Sequence, residues 1–331
     1  MQKFSICLAV FIFSSLSAES SSETMKNGCS DGTSLLGQAS ELRPCIISRT
    51  PPSTGAGFWS NFLVILAGID QADKRGWIPV VDMENNQTLY NESTRVLNTM
   101  NAWEYFFEQP GGMTLDQVIG PHAMYNGGGN GRVFSRAYTV QPKEKDVRRA
   151  KELITKYIKV KKYILDEVDG YIEPGIHENI LGVHVRGTDR RQGTDHHFLT
   201  SSVDVYLEEA KKLNEIYQFS QIYLACDELE TVEMFKQVFS DRLIVTKAYR
   251  VSALTNLDDP LKSWLHEAAR PLHKYNLGRE VLIDTLLLAR CGHLLIGPSN
   301  VSHVAIYFAE GVPMIHEVAS PGMFNAKLPK K

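Results

Sequence analysis

The chain has 331 residues, of which 43% are hydrophobic and 22% charged, with a formal net charge of −3. That length exceeds one ordinary domain and fits two, and the composition excludes a disordered chain. The small net charge leaves no basic surface for nucleic acid or an anionic membrane, and neither is expected as a partner.

The first residues read as a targeting segment. Lys3 gives the positive start, Phe4 to Leu16 a short apolar core, and Ser15, Ser17 and Ala18 the small residues where a peptidase cuts, so residues 1–18 read as a signal peptide. The core is too short to span a bilayer comfortably, so export to a secretory lumen, a periplasm or the exterior is expected, with no membrane contact unless the segment stays as an uncleaved anchor. Residues 19–42 are polar and Ser-rich and read as a flexible lead-in. Cys7 would leave with the signal, Cys29 and Cys45 are placed to pair in an oxidising compartment, and Cys226 and Cys291 lie in or beside apolar runs and read as buried thiols. No Cys/His spacing resembles a zinc site, and no metal is expected. Sequons begin at Asn86, Asn91 and Asn300; the first two fall in a polar stretch expected to be exposed and open to glycan, while the third opens a helix and reads as structural.

In chain order, a strand is expected at Cys45–Ser48, a Pro/Gly loop at Pro51–Phe58, a helix at Ser60–Lys74 and a strand at Trp77–Val81, which together make a βαβ unit. Residues 82–145 read as irregular and aromatic-rich, with Asn101-Ala-Trp-Glu-Tyr-Phe-Phe-Glu108, and a charged helix is expected from Glu144 to Val168. The remainder alternates short apolar runs (Ile180–Val185, Ile222–Ala225, Leu243–Thr246, His293–Ile296, Pro313–His316) with amphipathic helices at Val203–Tyr217, Leu229–Phe239, Gly278–Arg290 and Val301–Ala309. Runs of that length suit buried parallel strands, and the alternation predicts doubly wound α/β sheets with ligands at the carboxyl ends of the strands. The expected architecture is two Rossmann-like domains facing a cleft, residues 43–170 and 171–331.

Three strand ends carry chemistry. Gly182-Val-His-Val-Arg-Gly-Thr-Asp-Arg-Arg191 leaves the first C-terminal strand with a cation-rich loop. The planar fork of Arg186 suits a diphosphate, although a solvated basic turn has the same composition. After the next strand come Asp227 and Glu228, placed either to accept hydrogen bonds from a base or ribose or to cap the following helix. The third is Gly297-Pro-Ser-Asn-Val-Ser302, where Ser299 and Asn300 start a helix whose free N–H groups favour an anion. Asp284, inside a helix, reads as a group that orients the core.

In order and spacing these segments resemble the fucosyltransferase superfamily that contains α1,6-, α1,2- and protein O-fucosyltransferases and the nodulation α1,6-enzyme. Gly182–Arg190 matches its HxRxxD-type motif, Tyr223–Glu228 its YLATDD type, and Leu282–Ala305 its third segment, while Gly55–Phe62 and Asn101–Glu108 match its glycine loop and aromatic segment more loosely. The resemblance implies a GT-B fold and an inverting, metal-independent transfer of fucose from GDP-fucose to a glycan or protein hydroxyl. It implies no cofactor beyond that donor substrate. It further implies that Arg186 holds the β-phosphate, that His184 and Asp227 contact guanine or ribose, and that Glu228, Ser299, Asn300 and Ser302 complete the donor site. Gly55 and Gly57 would let backbone approach the donor.

The chain departs from the pattern at Gly187, where α1,6-enzymes carry a second arginine; Arg190 or Arg191 are the candidates to compensate. The α1,6-enzymes carry a Gly-Thr-Glu after the motif whose carboxylate is a candidate base; here Gly193-Thr194-Asp195 comes one residue later with a shorter acid, so Asp195 is the base candidate, with His196 and His197 as competitors. Two other readings remain open: a transferase using another nucleotide sugar, and an exported two-domain solute-binding protein, which would need no acid–base group.

Overall fold

A computed structural model describes residues 44–50, 56–118, 123–126, 134, 139–186, 201–252 and 270–318, all within one compact unit spanning Leu42–Lys331. The expectations for the signal segment, Cys29, Gly55, Gly187, Arg190, Arg191, Asp195, His196 and His197 lie outside the described residues.

Strand β1 (Cys45–Ser48) is buried along its whole length and pairs in parallel with β2 (Ile78–Val81) on one side and β3 (Ala123–Asn126) on the other. Between the first two runs helix α1 (Phe58–Arg75), which begins two residues earlier than the pattern suggested. It stops at Gly76, whose left-handed φ of 65° lets its N–H reach the carbonyls of Ala72 and Asp73. Short helices α2 (Ala102–Phe106) and α3 (Leu115–Val118), with β3, occupy the stretch expected to be irregular. Asn101 starts α2, accepting the Trp103 N–H on its side chain.

The long helix expected over 144–168 is instead two, α4 (Glu144–Tyr157) and α5 (Lys162–Asp169). The aromatic segment takes the intervening backbone: Glu108 N–H donates to Lys159 O and Lys161 N–H to Phe106 O, a two-rung bridge that a continuous helix could not supply.

The second sheet is built from β4 (His177–Val185), β5 (Gln221–Cys226), β6 (Leu243–Ile244), β7 (Cys291–Ile296) and β8 (Met314–Glu317), all parallel, in the order β6-β5-β4-β7-β8. Helices α6 (Val203–Tyr217), α7 (Leu229–Phe239), α8 (His273–Leu288) and α9 (Asn300–Phe308) connect the strands. This is the 3-2-1-4-5 order of a doubly wound sheet, whose direction reverses between β4 and β7. On β4, Gly182 leaves room for β7 side chains: a Cβ there would sit 2.9 Å from Cys291 Sγ and from Leu294 Cδ2. One apolar core joins residues of both sheets, from Phe58 and Trp59 to Leu294 and Tyr307.

Side-chain bonds tie α1 to the C-terminal helices. Trp59 Nε1 donates to Thr285 Oγ1 at 2.7 Å, and Asn300 Nδ2 to Ser60 Oγ at 2.8 Å. At the β7–β8 edge, His293 Nδ1 and His316 Nε2 are 3.0 Å apart with their rings within 11° of parallel, close enough for one ring to donate an N–H to the other.

Burial bears on two of the expectations. Cys226 and Cys291 are buried thiols as anticipated, and burial pushes Cys226 up to about 12. Asn91, expected to be exposed, is 3% exposed: its amide donates to Met83 O and Met100 O and accepts from Thr88 N–H and Oγ1. A polar side chain with that many backbone partners is pulled inward to knit its own loop, so in the folded chain Asn91 has no amide free for glycan.

Candidate functional site

A cavity of about 370 Å³ opens at the carboxyl ends of β4, β5 and β7, against the first turn of α1. Strand register fixes this: His184 lies beside Ala225 and Ile296, so the residues just beyond, Arg186, Asp227 and Ser299, emerge together at the point where the strand order reverses. Gly57, His184, Arg186, Asp227, Ser299 and Asn300 all stand on its wall.

Each is held differently. His184 is 6% exposed, and its Nδ1 lies 2.9 Å from Ser302 Oγ, which is itself fully buried on α9. Ser302, expected to touch the donor, therefore stands behind His184 and orients its ring. Ser299 both lines the cavity and caps α9, accepting the Val301 N–H at 3.2 Å. The capping position of α7 belongs to Glu228, which leaves Asp227 to the cavity wall. Glu228 is not on that wall; its buried carboxylate accepts from Thr231 Oγ1. Backbone bonds from Val251 N–H to Asp227 O and from Leu229 N–H to Val251 O draw the following loop alongside, bringing Tyr249 to the rim.

Gly57 has an ordinary extended φ of −64°, and a Cβ there would meet nothing within 4 Å. Neither strain nor packing within the described residues therefore asks for glycine. Its bare backbone faces the cavity at the N-terminus of an 18-residue helix. The N-termini of α1 and α9 both reach this space, adding partial positive charge next to Arg186.

Helix α8 adds acidic groups to the lining. Glu280 and Asp284 stand one turn apart with Leu277 and Val281. Asp284, read from sequence as a core residue, reaches the cavity as well: its Oδ1 accepts from Tyr223 OH at 2.8 Å and Thr246 Oγ1 at 2.7 Å. Burial raises its carboxyl to about 6, against the pull of those two hydroxyls and of Arg250. Arg270 grips Glu280 with both guanidinium arms and lies 5.0 Å from the Tyr249 ring centre. Trp59, Ser60, Tyr90, Tyr249, Glu280 and Asp284 were not anticipated as site residues. The two α8 acids had a signal, a four-residue spacing on an otherwise apolar helical face.

Among the described residues no group of three or more His, Cys, Asp or Glu is placed to hold a metal ion, and no helix is long and apolar enough to cross a membrane.

No protein-family model and no curated protein sequence matches the chain. Solved structures do. POFUT1 in complex with GDP-fucose is 10% identical, covers 85% of this chain and 99% of its own, and superposes with a TM-score of 0.50. NodZ alpha-1,6-fucosyltransferase co-crystallised with GDP is 17% identical over 85% of this chain and 96% of its own, with a TM-score of 0.49. The Se-Met form of NodZ from Bradyrhizobium is 14% identical over the same shares, with a TM-score of 0.48. At such identities the likeness is one of fold: two parallel α/β sheets of the GT-B type expected from the motifs, shared with POFUT1.

Proposed function

We propose that this chain is an inverting glycosyltransferase that takes fucose from GDP-fucose and passes it to a hydroxyl of a glycan or protein. The observation that carries the reading is the convergence of Arg186, two helix N-termini and a bare glycine backbone with the carboxylates of Asp227, Glu280 and Asp284 around one cavity. A nucleoside diphosphate suits both kinds of group. Its phosphates call for N–H donors and a cation, and guanine presents N–H donors that suit a carboxylate such as Asp284 or Asp227. That POFUT1, which shares the fold, was solved with GDP-fucose supports the same donor here.

In the proposed reaction the acceptor oxygen attacks the anomeric carbon as the C1–O bond to the diphosphate breaks. Arg186 and the helix ends meet the charge that grows on the departing GDP, so their bonds strengthen as the bond breaks and speed the step. Asp195 is the proposed base for the acceptor proton. No metal is required in this scheme, since the guanidinium and backbone groups neutralise the diphosphate. The apolar segment at Phe4–Leu16 supports action in an exported compartment.

The test is calorimetric titration of the protein with GDP, UDP and ADP in EDTA, repeated with Arg186→Ala. GDP is expected to bind selectively, and the variant to bind it about ten- to a hundredfold more weakly, the loss of one charge-assisted contact. Preference for another nucleotide would refute the fucose assignment, and no binding to folded protein would favour the solute-binding reading.

A further inference from the structure

The loop from Met83 to Met100 presents Tyr90 to the cavity in an unusual way. Tyr90 is 3% exposed and stands on the cavity wall next to Leu89. Its hydroxyl oxygen accepts the Phe58 N–H, the first of helix α1, at 2.8 Å. That oxygen is thereby used as an acceptor, and among the described residues nothing accepts the proton it carries.

The surroundings fix the ring. It meets Phe58 edge-on at 5.3 Å and lies against Gly278, where a Cβ would come within 3.2 Å of Tyr90 Cδ1. Behind it, the buried Asn91 clasps Met83 O, Met100 O and Thr88, while Tyr90 N–H donates to Thr88 Oγ1. A loop that spends a fully satisfied asparagine on holding one tyrosine is a built support for it. Burial also keeps the phenol protonated, its value pushed up to about 12 even though Arg186 is near enough to pull the other way.

We infer that Tyr90 is a donor-contacting residue: its O–H points into the cavity beside Arg186 and hydrogen-bonds a phosphate oxygen of the bound nucleoside diphosphate. This inference rests on the donor reading given above. The proton is shared and stays on the phenol; no covalent step is assigned to it. Because the same oxygen receives the Phe58 N–H, the contact also links the ligand to the start of α1. Donating a proton to phosphate makes the phenol oxygen a better acceptor for that N–H, so ligand and helix reinforce one another.

Two replacements at this position separate a ligand contact from a structural tether. Tyr90→Phe keeps the ring and is expected to weaken GDP binding about tenfold, to lower kcat for GDP-fucose further, and to shift the 31P resonance of bound GDP, with some loss of melting temperature because the buried Phe58 N–H loses its acceptor. Difluorotyrosine at position 90 makes the O–H a stronger donor and its oxygen a poorer acceptor. A ligand contact predicts tighter GDP binding; a tether for Phe58 alone predicts unchanged or weaker binding. Wild-type protein that binds GDP, with Tyr90→Phe leaving affinity and 31P shift unchanged or difluorotyrosine failing to tighten binding, overturns the inference and spares the donor reading. Failure of the wild type to bind GDP overturns both.

Discussion

Asp284→Asn tests the acidic part of the cavity lining. The carboxyl sits near 6 instead of 3.8, chiefly because burial strips water from the charged form. A shift of about two units corresponds to ~3 kcal/mol between protonation states. The folded value lies above the unfolded one, so the protonated acid favours the fold. That contribution is complete below about pH 4 and is lost as the pH rises through about 6. Asparagine cannot ionise, and its carbonyl can still accept from Tyr223 and Thr246. The variant is therefore expected to gain on the wild type by up to ~3 kcal/mol on going from about pH 4 to about pH 8. Urea unfolding followed by tryptophan fluorescence across that range measures the difference directly. The same change should cost function: GDP affinity of the wild type should climb as pH passes 6, as the carboxylate forms, and the variant's should stay flat. Parallel stability curves for the two proteins would refute the argument, because they would mean that Asp284 stays charged in a site far wetter than the one described.

Two further outcomes follow from the geometry. Gly57→Ala should fold with a loss within about 1 kcal/mol, since its methyl meets no atom of the described residues, yet should weaken GDP binding about tenfold by filling space where backbone approaches ligand; unchanged affinity by calorimetry would remove Gly57 from the site. The His293–His316 pair works in the opposite sense to Asp284. Burial lowers both imidazoles, and His316 is lowered further by its neighbour, so the unfolded chain takes up protons first and stability falls as the pH drops below about 6.5. His316→Gln should flatten that acid limb of the melting-temperature profile, and an unchanged limb would show that the pair is not its source.

The second sheet was legible in the sequence because strands buried on both faces read as unbroken apolar runs, and β4, β5 and β7 fall where such runs occur. By contrast β3 and α2 are four and five residues long, too short for any period to declare itself. The break between α4 and α5 was illegible for another reason: a helical pattern continues across it, and only the distant Phe106–Glu108 backbone ends it. At the site, strand-end residues such as Arg186 and Ser299 could be found because position in an α/β sheet is itself a signal. Tyr90 could not, since it lies in a loop ordered by side-chain bonds to backbone from residues such as Asn91 and Asn101, and an Asn-Glu-Ser triplet reads as a surface sequon. Asp284 was read as a group that orients the core, as its bonds to Tyr223 and Thr246 do; that it also lines the cavity was illegible, because sequence gives the face of a helix but not what that face looks upon.

The bonds that join α1 to α8 and α9 span 226 and 240 positions of chain. The cavity is thus a product of late encounter in folding. Closing loops of that size costs entropy before any contact repays it, so chains with such distant pairings collapse first into locally structured intermediates. A C-terminal fragment could form its sheet and display Arg186, Asp227 and Ser299 at their strand ends, yet would lack Gly57, Trp59 and Tyr90 and the wall they build. Nucleotide binding would then report completion of the whole chain, and during refolding its appearance should lag behind recovery of helical circular dichroism.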